Sequence, residues 1–437
     1  MSLLTDHAMV WRTLAYLVVC SIMVKGAQAA DQSLTASALS LDEAASLAVL
    51  EQPRLDSFDA QIRAARASSI AARQLPDPQL TFGVSNWPVS TRDALSFTRD
   101  FDTQIQVGIS QEFPRAEKRR LRGELLDRES LRLQAEEHLT SRSLRRDAAL
   151  AWLEVWRYER ALSLVRASLG VAKTQQQVAE IALRGGAATQ ADYLSSRQEV
   201  SRLADTGQAA EQNVARARTA LARWIGEAAF RAIPPETPAV PALPSLEVVL
   251  TRVRTHPHLA GATATVAVAT TNVELAQAAY RPDWRVELGY ANRPAYSDMV
   301  SLQVGIDLPM FPGARQDQNA LAAVSQREAA ESAREDASRQ LVAEVRTSYQ
   351  DEKYLLQRLA AYDAGLIPEG QARIAAALAG LRAGRDQLRD VVDARRAALE
   401  SRMARLEVQT DLLKASIELV YFGAYSPVQN EETNANE

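Results

Sequence analysis

One phrase is written twice in this chain. "QVGISQEFP" runs from Gln106 to Pro114, and "QVGIDLPMFP" returns about 200 residues later, from Gln303 to Pro312. Other blocks repeat in the same order. "EAASLAVLEQPRL" (Glu43 to Leu55) aligns with "EVVLTRVRTHPHL" (Glu247 to Leu259), keeping Glu, Pro and Leu in register. "PQLTFGVSN" (Pro78 to Asn86) shares its alternation with "PDWRVELGY" (Pro282 to Tyr290), and "LRGGAATQADYLSSR" (Leu183 to Arg197) aligns without a gap with "LRAGRDQLRDVVDAR" (Leu381 to Arg395). The chain therefore divides into a first repeat at 30–232 and a second at 246–425, with a polar tail at 426–437. A Pro-rich linker at 233–245 joins the repeats, and such a segment is stiff and extended.

Each repeat opens with an expected amphipathic helix, Leu41 to Gln74 and Leu246 to Tyr280, and then meets prolines and strands. Ile105, Val107 and Ile109 alternate with polar residues or glycine. So do Trp284, Val286 and Leu288, and likewise Leu302, Val304 and Ile306. Period two makes one apolar and one polar face. Each repeat thus carries a strand pair, and four strands alone leave open edges. One reading packs two small hairpins on helices. The sharper one turns the apolar faces to lipid, as in a transmembrane β-barrel. Phe82, Trp87, Phe97, Phe101, Phe113, Trp284, Tyr290, Tyr296 and Phe311 cluster around these strands, as interfacial aromatics do. Four strands are too few to close, so closure requires several copies in a ring.

"FP" ends the second strand of each pair, and a very long helix follows, from about Arg115 to Arg184 and from about Ala314 to Ala383, the latter interrupted by Pro368. Some seventy residues at ~1.5 Å each reach on the order of 100 Å. Leu144, Ala148, Ala151, Val155, Tyr158, Leu162, Val165 and Leu169 step by four and three, as do Leu399, Met403, Leu406, Thr410, Leu413, Ile417 and Val420. That spacing is a coiled-coil seam. The turns "LRGG" and "LRAG" place Gly186 and Gly384 where a helix ends in positive φ, and a second heptad helix returns.

Composition removes other classes. Net charge is −4 with both signs interspersed, which gives no footprint for nucleic acid. Arg12, the apolar run Leu14 to Val24 and the small residues Ala27 and Ala29 read as a signal peptide, 1–29, rather than an uncleaved anchor. Cys20 is the sole cysteine and lies inside that segment, where "LVVC" is a poor lipoprotein box because Val19 stands where Gly or Ala is wanted. A mature chain without cysteine excludes disulfides and thiolate chemistry. His256 and His258 flank Pro257, too few ligands for a strong metal site. No phosphate loop, dinucleotide turn or nucleophile–base pair is present, so no cofactor and no enzymatic activity are expected.

The tandem repeats, the "FP" strand ends and the paired "LRxG" turns resemble the TolC-type outer-membrane efflux proteins. "DPQLTFGVSN" and "QVGISQEFPRAEKRRLR" are most similar to the heavy-metal, cation-efflux branch. The resemblance implies a mainly α fold with a small β part. Long antiparallel coiled-coil hairpins form an α-barrel, and four transmembrane strands per chain close a twelve-stranded barrel in a homotrimer. It implies an outer-membrane location with a long periplasmic part and contact with outer-membrane lipid. The implied partners are a periplasmic adaptor (membrane fusion) protein and an inner-membrane RND-type pump, with heavy-metal cations as cargo. The same channel could instead serve drug efflux or type I secretion. A pore-free periplasmic coiled-coil adaptor is the alternative of another class.

The resemblance also assigns residues. Leu183, Arg184 and Gly186, with Leu381, Arg382 and Gly384, match the tip turns where the adaptor docks. Asp390 and Asp393 match acidic residues that line the constricted entrance; Asp192 matches Asp390 in the first turn, where Ser195 replaces the second acid. Arg385 stands one residue before the basic residue that latches the gate in some members. The spacing of three puts Asp390 and Asp393 on one helix face, and rings of charge filter cations. The competing reading is a solvated helix start that complements the helix dipole.

Overall fold

A computed structural model describes residues 38–50 and 52–425; the signal-peptide segment 1–29, Cys20 and the tail 426–437 lie outside the described residues. In chain order the elements are α1 (Leu41–Leu47), α2 (Pro53–Ala72), β1 (Gln79–Ser85), β2 (Gln104–Phe113), α3 (Ala116–Arg184) and α4 (Gln190–Ile225). Then follow α5 (Leu246–Val253), α6 (Pro257–Ala278), β3 (Trp284–Asn292), β4 (Met299–Ile306), α7 (Gln316–Ala361), α8 (Ile367–Arg382) and α9 (Leu388–Tyr421). The described residues form two compact units, one from 38–50, 144–242 and 348–418, the other from 52–143, 243–347 and 419–425. Helices dominate, and the strands are confined to the second unit.

The expected opening helices are each broken in two. Pro53 and Pro257 start new helices, and the residues before them, Gln52 (ψ 112°) and His256 (ψ 138°), are extended. Proline has no N–H to continue the preceding helix and excludes the α conformation from its predecessor. The second of the expected long helices also changes character. A 3₁₀ turn, Pro312–Ala314, precedes α7, and a π-turn, Tyr362–Leu366, separates α7 from α8 just ahead of Pro368. The wider turn absorbs the hydrogen bond that Pro368 cannot make. Nothing comparable interrupts the 69 residues of α3.

In the first unit the core lies between α3, α4 and α9. Leu144, Ala148, Val155, Leu162 and Val165 of the predicted α3 seam are buried, while Ala151, Tyr158 and Leu169 are half-buried. A second stripe was not anticipated: Trp152, Leu153 and Trp156 are among the most buried side chains of the chain. Trp152 Nε1–H donates to the Leu39 carbonyl (2.9 Å) and Trp156 Nε1–H to the Glu236 carbonyl (3.1 Å). Two indoles one helical turn apart therefore tie down the entry to α1 and the Pro-rich linker. Ile233 of the linker is buried in the same core. Arg218 adds a clamp, donating to the carbonyls of Ala229 and Arg231 (2.8 Å each) and to Glu159 (2.5 Å). On α9 the predicted seam holds through Thr410, Leu413 and Ile417 but ends before Val420, which is exposed.

Candidate functional site

Two arrangements bear on function, one in each unit. In the second unit the strands form one antiparallel sheet in the order β1-β2-β3-β4. The register puts Phe82 opposite Val107, Val107 opposite Tyr290, and Tyr290 opposite Val300. One rung along, Leu80, Ile109, Leu288 and Leu302 line up, then Gln111, Val286 and Val304, then Phe113, Trp284 and Ile306. The nine predicted lipid-facing residues thus share one face, on which Gln111 and Asn292 are polar exceptions. That face is uncovered: Phe82 is 79% and Val300 72% exposed. Ile105 and Val286 are half-buried.

The opposite face carries Gln79, Thr81, Gln104, Gln106, Glu287, Ser301 and Gln303. Its side chains pair across strands, as Gln106 with Ser85 (2.7 Å) and Arg285 with Glu112 (2.5 Å). Aromatic residues gather at both ends of the sheet. Trp87 and Phe97 stack at 4.8 Å in the β1–β2 connection, and Phe113 is paired with Trp284 at the other end. The basic start of α3 is anchored to the entry of β3. Lys118 Nζ donates to Asp283 (2.8 Å) and to the Arg281 carbonyl (2.6 Å), and the Arg115 N–H donates to Asp283 (2.9 Å). Among the described residues the outer edges of β1 and β4 have no strand partner.

The first unit holds the two tip turns, which share one hydrogen-bond pattern. Ala187 N–H donates to the Ala182 carbonyl and Gly186 N–H to Leu183; Arg385 N–H donates to Gly380 and Gly384 N–H to Leu381. Each is a Schellman motif, with the glycine in the left-handed region at φ 73° for Gly186 and 68° for Gly384. Leu183 and Leu381 are half-buried, and Arg184, Arg382, Gly186 and Gly384 are exposed.

The predicted entrance acids also serve their helices. Asp192 closes a capping box: its Oδ2 accepts from the Thr189 N–H (3.0 Å) and hydroxyl (2.6 Å), and the Thr189 hydroxyl accepts from the Asp192 N–H. Asp390 makes half of such a box, accepting from the Gln387 N–H (2.8 Å). Asp393 is 62% exposed, with Arg396 no nearer than 4.0 Å. Arg385 is exposed and makes its hydrogen bond through its backbone. Asp390 in the first turn of α9 and Asp393 in the second are both exposed, just after the turn that contains Arg385.

His256 was set aside in the sequence as incidental. It is buried, 1% exposed, and it caps α6. Its Nδ1 accepts from the His258 N–H (3.3 Å), which leaves the proton on Nε2, facing the Tyr421 carbonyl (3.2 Å). Tyr421 packs edge-on to its ring at 5.1 Å. Burial, assisted by the Arg142 charge, pushes its pKa down to about 4 against the opposing Tyr421 carbonyl. Cap chemistry normally uses Asn, Asp, Ser or Thr, so nothing local marked this histidine. Among the described residues no group of three or more His, Cys, Asp or Glu could hold a metal ion.

The profile described as Outer membrane efflux protein matches residues 253–421. That segment is similar to the outer membrane efflux protein family. The whole described fold agrees. The transmembrane channel CusC superposes with a TM-score of 0.74 at 16% identity, over 87% of this chain and 91% of its own. The Campylobacter jejuni CmeC outer membrane channel gives 0.73 at 13% identity, over 88% and 85%. The Vibrio cholerae outer membrane protein VceC gives 0.72 at 18% identity, over 88% and 95%. No curated protein matches the chain in sequence. The described fold, mostly helical with a small sheet part, is the one these outer-membrane channels share.

Proposed function

We propose that three copies of this chain form the exit duct of a tripartite efflux system that carries heavy-metal cations out across the outer membrane. The observation that carries the duct is the sheet, with one uncovered apolar face, one paired polar face and two free edges. Joining β1 of one copy to β4 of the next removes every edge, and three four-stranded sheets make a barrel of twelve. The apolar face then meets lipid and the polar face lines the lumen. Outer-membrane assembly of a heat-modifiable trimer tests this; a soluble periplasmic protein would sink it.

Two features support the cargo. The β1 and β2 segments with the basic start of α3 are similar to the heavy-metal branch. Asp390 and Asp393, exposed beside the second tip turn, would stack two acidic rings in a trimer and attract cations without holding them. The repeat boundaries at 30–232 and 246–425, the adaptor at the tip turns and an RND-type pump complete the proposal. A gene deletion grown against graded zinc, cobalt, cadmium, copper, silver and a drug panel tests the cargo. Sensitivity to one metal group, restored by the wild-type gene, is the expected result; sensitivity to drugs alone removes the metal from the reading and keeps the duct.

A further inference from the structure

Helices α3, α4, α8 and α9 of the first unit all contribute to one cleft of about 300 Å3. Its walls are apolar on several sides: Val171 from α3, Leu203 from α4, Ile374 from α8, and Val392 and Leu399 from α9. Its charges do not balance. Arg395, Arg396 and Arg402 line it against the single carboxylate of Glu199. Glu199 is already committed, accepting from Arg202 (2.6 Å) and Arg396 (2.7 Å). Burial works against its charge, yet those two guanidiniums hold its carboxyl below the usual range. It has little left to offer Arg395.

Arg395 is half-buried, and its nearest acceptor is the Gln175 side-chain oxygen (2.6 Å). Burial lowers its pKa, and no carboxylate offsets that. The same Gln175 turns a buried Nε2 donor toward no acceptor among the described residues, and Arg396 Nε is in the same condition. Buried donors left unpaired are costly, and here they occur at neighbouring side chains around an uncompensated guanidinium.

We infer that this cleft binds a small organic carboxylate with an apolar body. The planar guanidinium fork of Arg395 matches the two oxygens of a carboxylate. The Gln175 amide supplies a further donor, and the apolar walls accept the rest of the molecule. A small inorganic anion would leave those walls unfilled, and a neutral molecule of the same shape would leave the donors unpaired. The site does not depend on the efflux reading, and it uses none of the tip-turn residues.

The test uses the purified full chain in detergent with 4-fluorobenzoate, read by fluorine NMR line broadening. Broadening that unlabelled benzoate reverses is expected, and 4-fluorobenzyl alcohol, which lacks the charge, should broaden little. Arg395→Gln should weaken the apparent Kd at least ~10-fold, and Gln175→Leu by a smaller factor. Arg395→Lys should retain part of the binding, because the charge stays while the fork is lost. Equal broadening by the alcohol, undiminished binding in Arg395→Gln, or no broadening at millimolar probe each overturns the site. If Arg395→Gln fails to assemble, Gln175→Leu, which removes no charge, carries the test: unchanged affinity there overturns it. Inorganic phosphate competing as well as benzoate would overturn the requirement for an apolar body.

Discussion

The buried cap at His256 makes a quantitative claim about acid. In the folded chain its pKa is about 4, against an ordinary value of 6.5. The unfolded chain therefore binds more protons between those values. The stability that depends on neutral His256 is complete above about pH 6.5 and drains away as pH falls toward about 4. At about 1.4 kcal/mol per pH unit, the full loss is about 3 kcal/mol, and about 1 kcal/mol is gone by roughly pH 5.5. The surroundings explain the direction. Protonating Nδ1 destroys the bond from the His258 N–H and places a cation at a helix N-terminus. Arg142 already acts on the ring, and Arg128 and Arg254 line the adjoining cleft. His256→Asn keeps a cap acceptor but cannot titrate. Thermal unfolding of both proteins in detergent should show the wild type losing stability faster as pH falls from about 7.5 to about 4.5. The low-lying carboxylates interfere little. Asp127 is held down by hydrogen bonds from Ser69 and Arg73, and Asp363 by Arg405, so their contributions persist until pH falls below about 4. Parallel losses in the two proteins would refute the reasoning.

Three further outcomes are expected. Val304→Arg should cost about 2–4 kcal/mol per chain if its face meets the bilayer centre, whereas Gln303→Arg on the opposite face should be tolerated; trimer yield in outer-membrane fractions decides, and equal yields would contradict the assignment. Asp390→Asn with Asp393→Asn should reduce cation selectivity while keeping an acceptor for the Gln387 N–H, and an unshifted reversal potential in a planar bilayer would count against an acidic entrance. Gly186→Pro or Gly384→Pro cannot adopt φ near 70°, so either should abolish crosslinking to the adaptor while leaving membrane insertion intact, and normal crosslinking would remove the tips from the docking surface.

Periodicity carried the strands and turns, because period two and a glycine after a heptad run are local signals. The breaks at Pro53 and Pro257 were also written in the sequence: both prolines sit at the same place in the aligned blocks, and a proline inside a helical pattern normally ends it. The π-turn was half visible, since Pro368 marked the trouble but not the remedy. Trp152 and Trp156, spaced by one helical turn, could have shown that α3 buries a second stripe. The role of His256 could not have been found this way. It depends on Tyr421, 165 residues distant, and burial by remote segments leaves no local pattern. The Arg395–Gln175 contact spans 220 residues and is equally silent.

The two tip turns show how one inherited block can diverge in use. Both end in the same Schellman geometry, so the backbone solution has been kept. The residue before the return helix differs: Thr189 in the first repeat, Gln387 in the second. Threonine offers a hydroxyl that both donates to and accepts from Asp192, which draws that acid into the cap. Glutamine has no hydroxyl there, so Asp390 receives one backbone N–H and remains exposed. Three residues on, the first repeat has Ser195 and the second an exposed Asp393. One turn therefore spends its acid on holding the helix, and the other keeps two carboxylates in water. If negative charge acts on passing cations, it acts from the second turn. Asp192→Asn should then leave selectivity unchanged under the conditions in which the Asp390 and Asp393 substitutions reduce it, and an equal effect from Asp192 would show that the two turns have not separated in function.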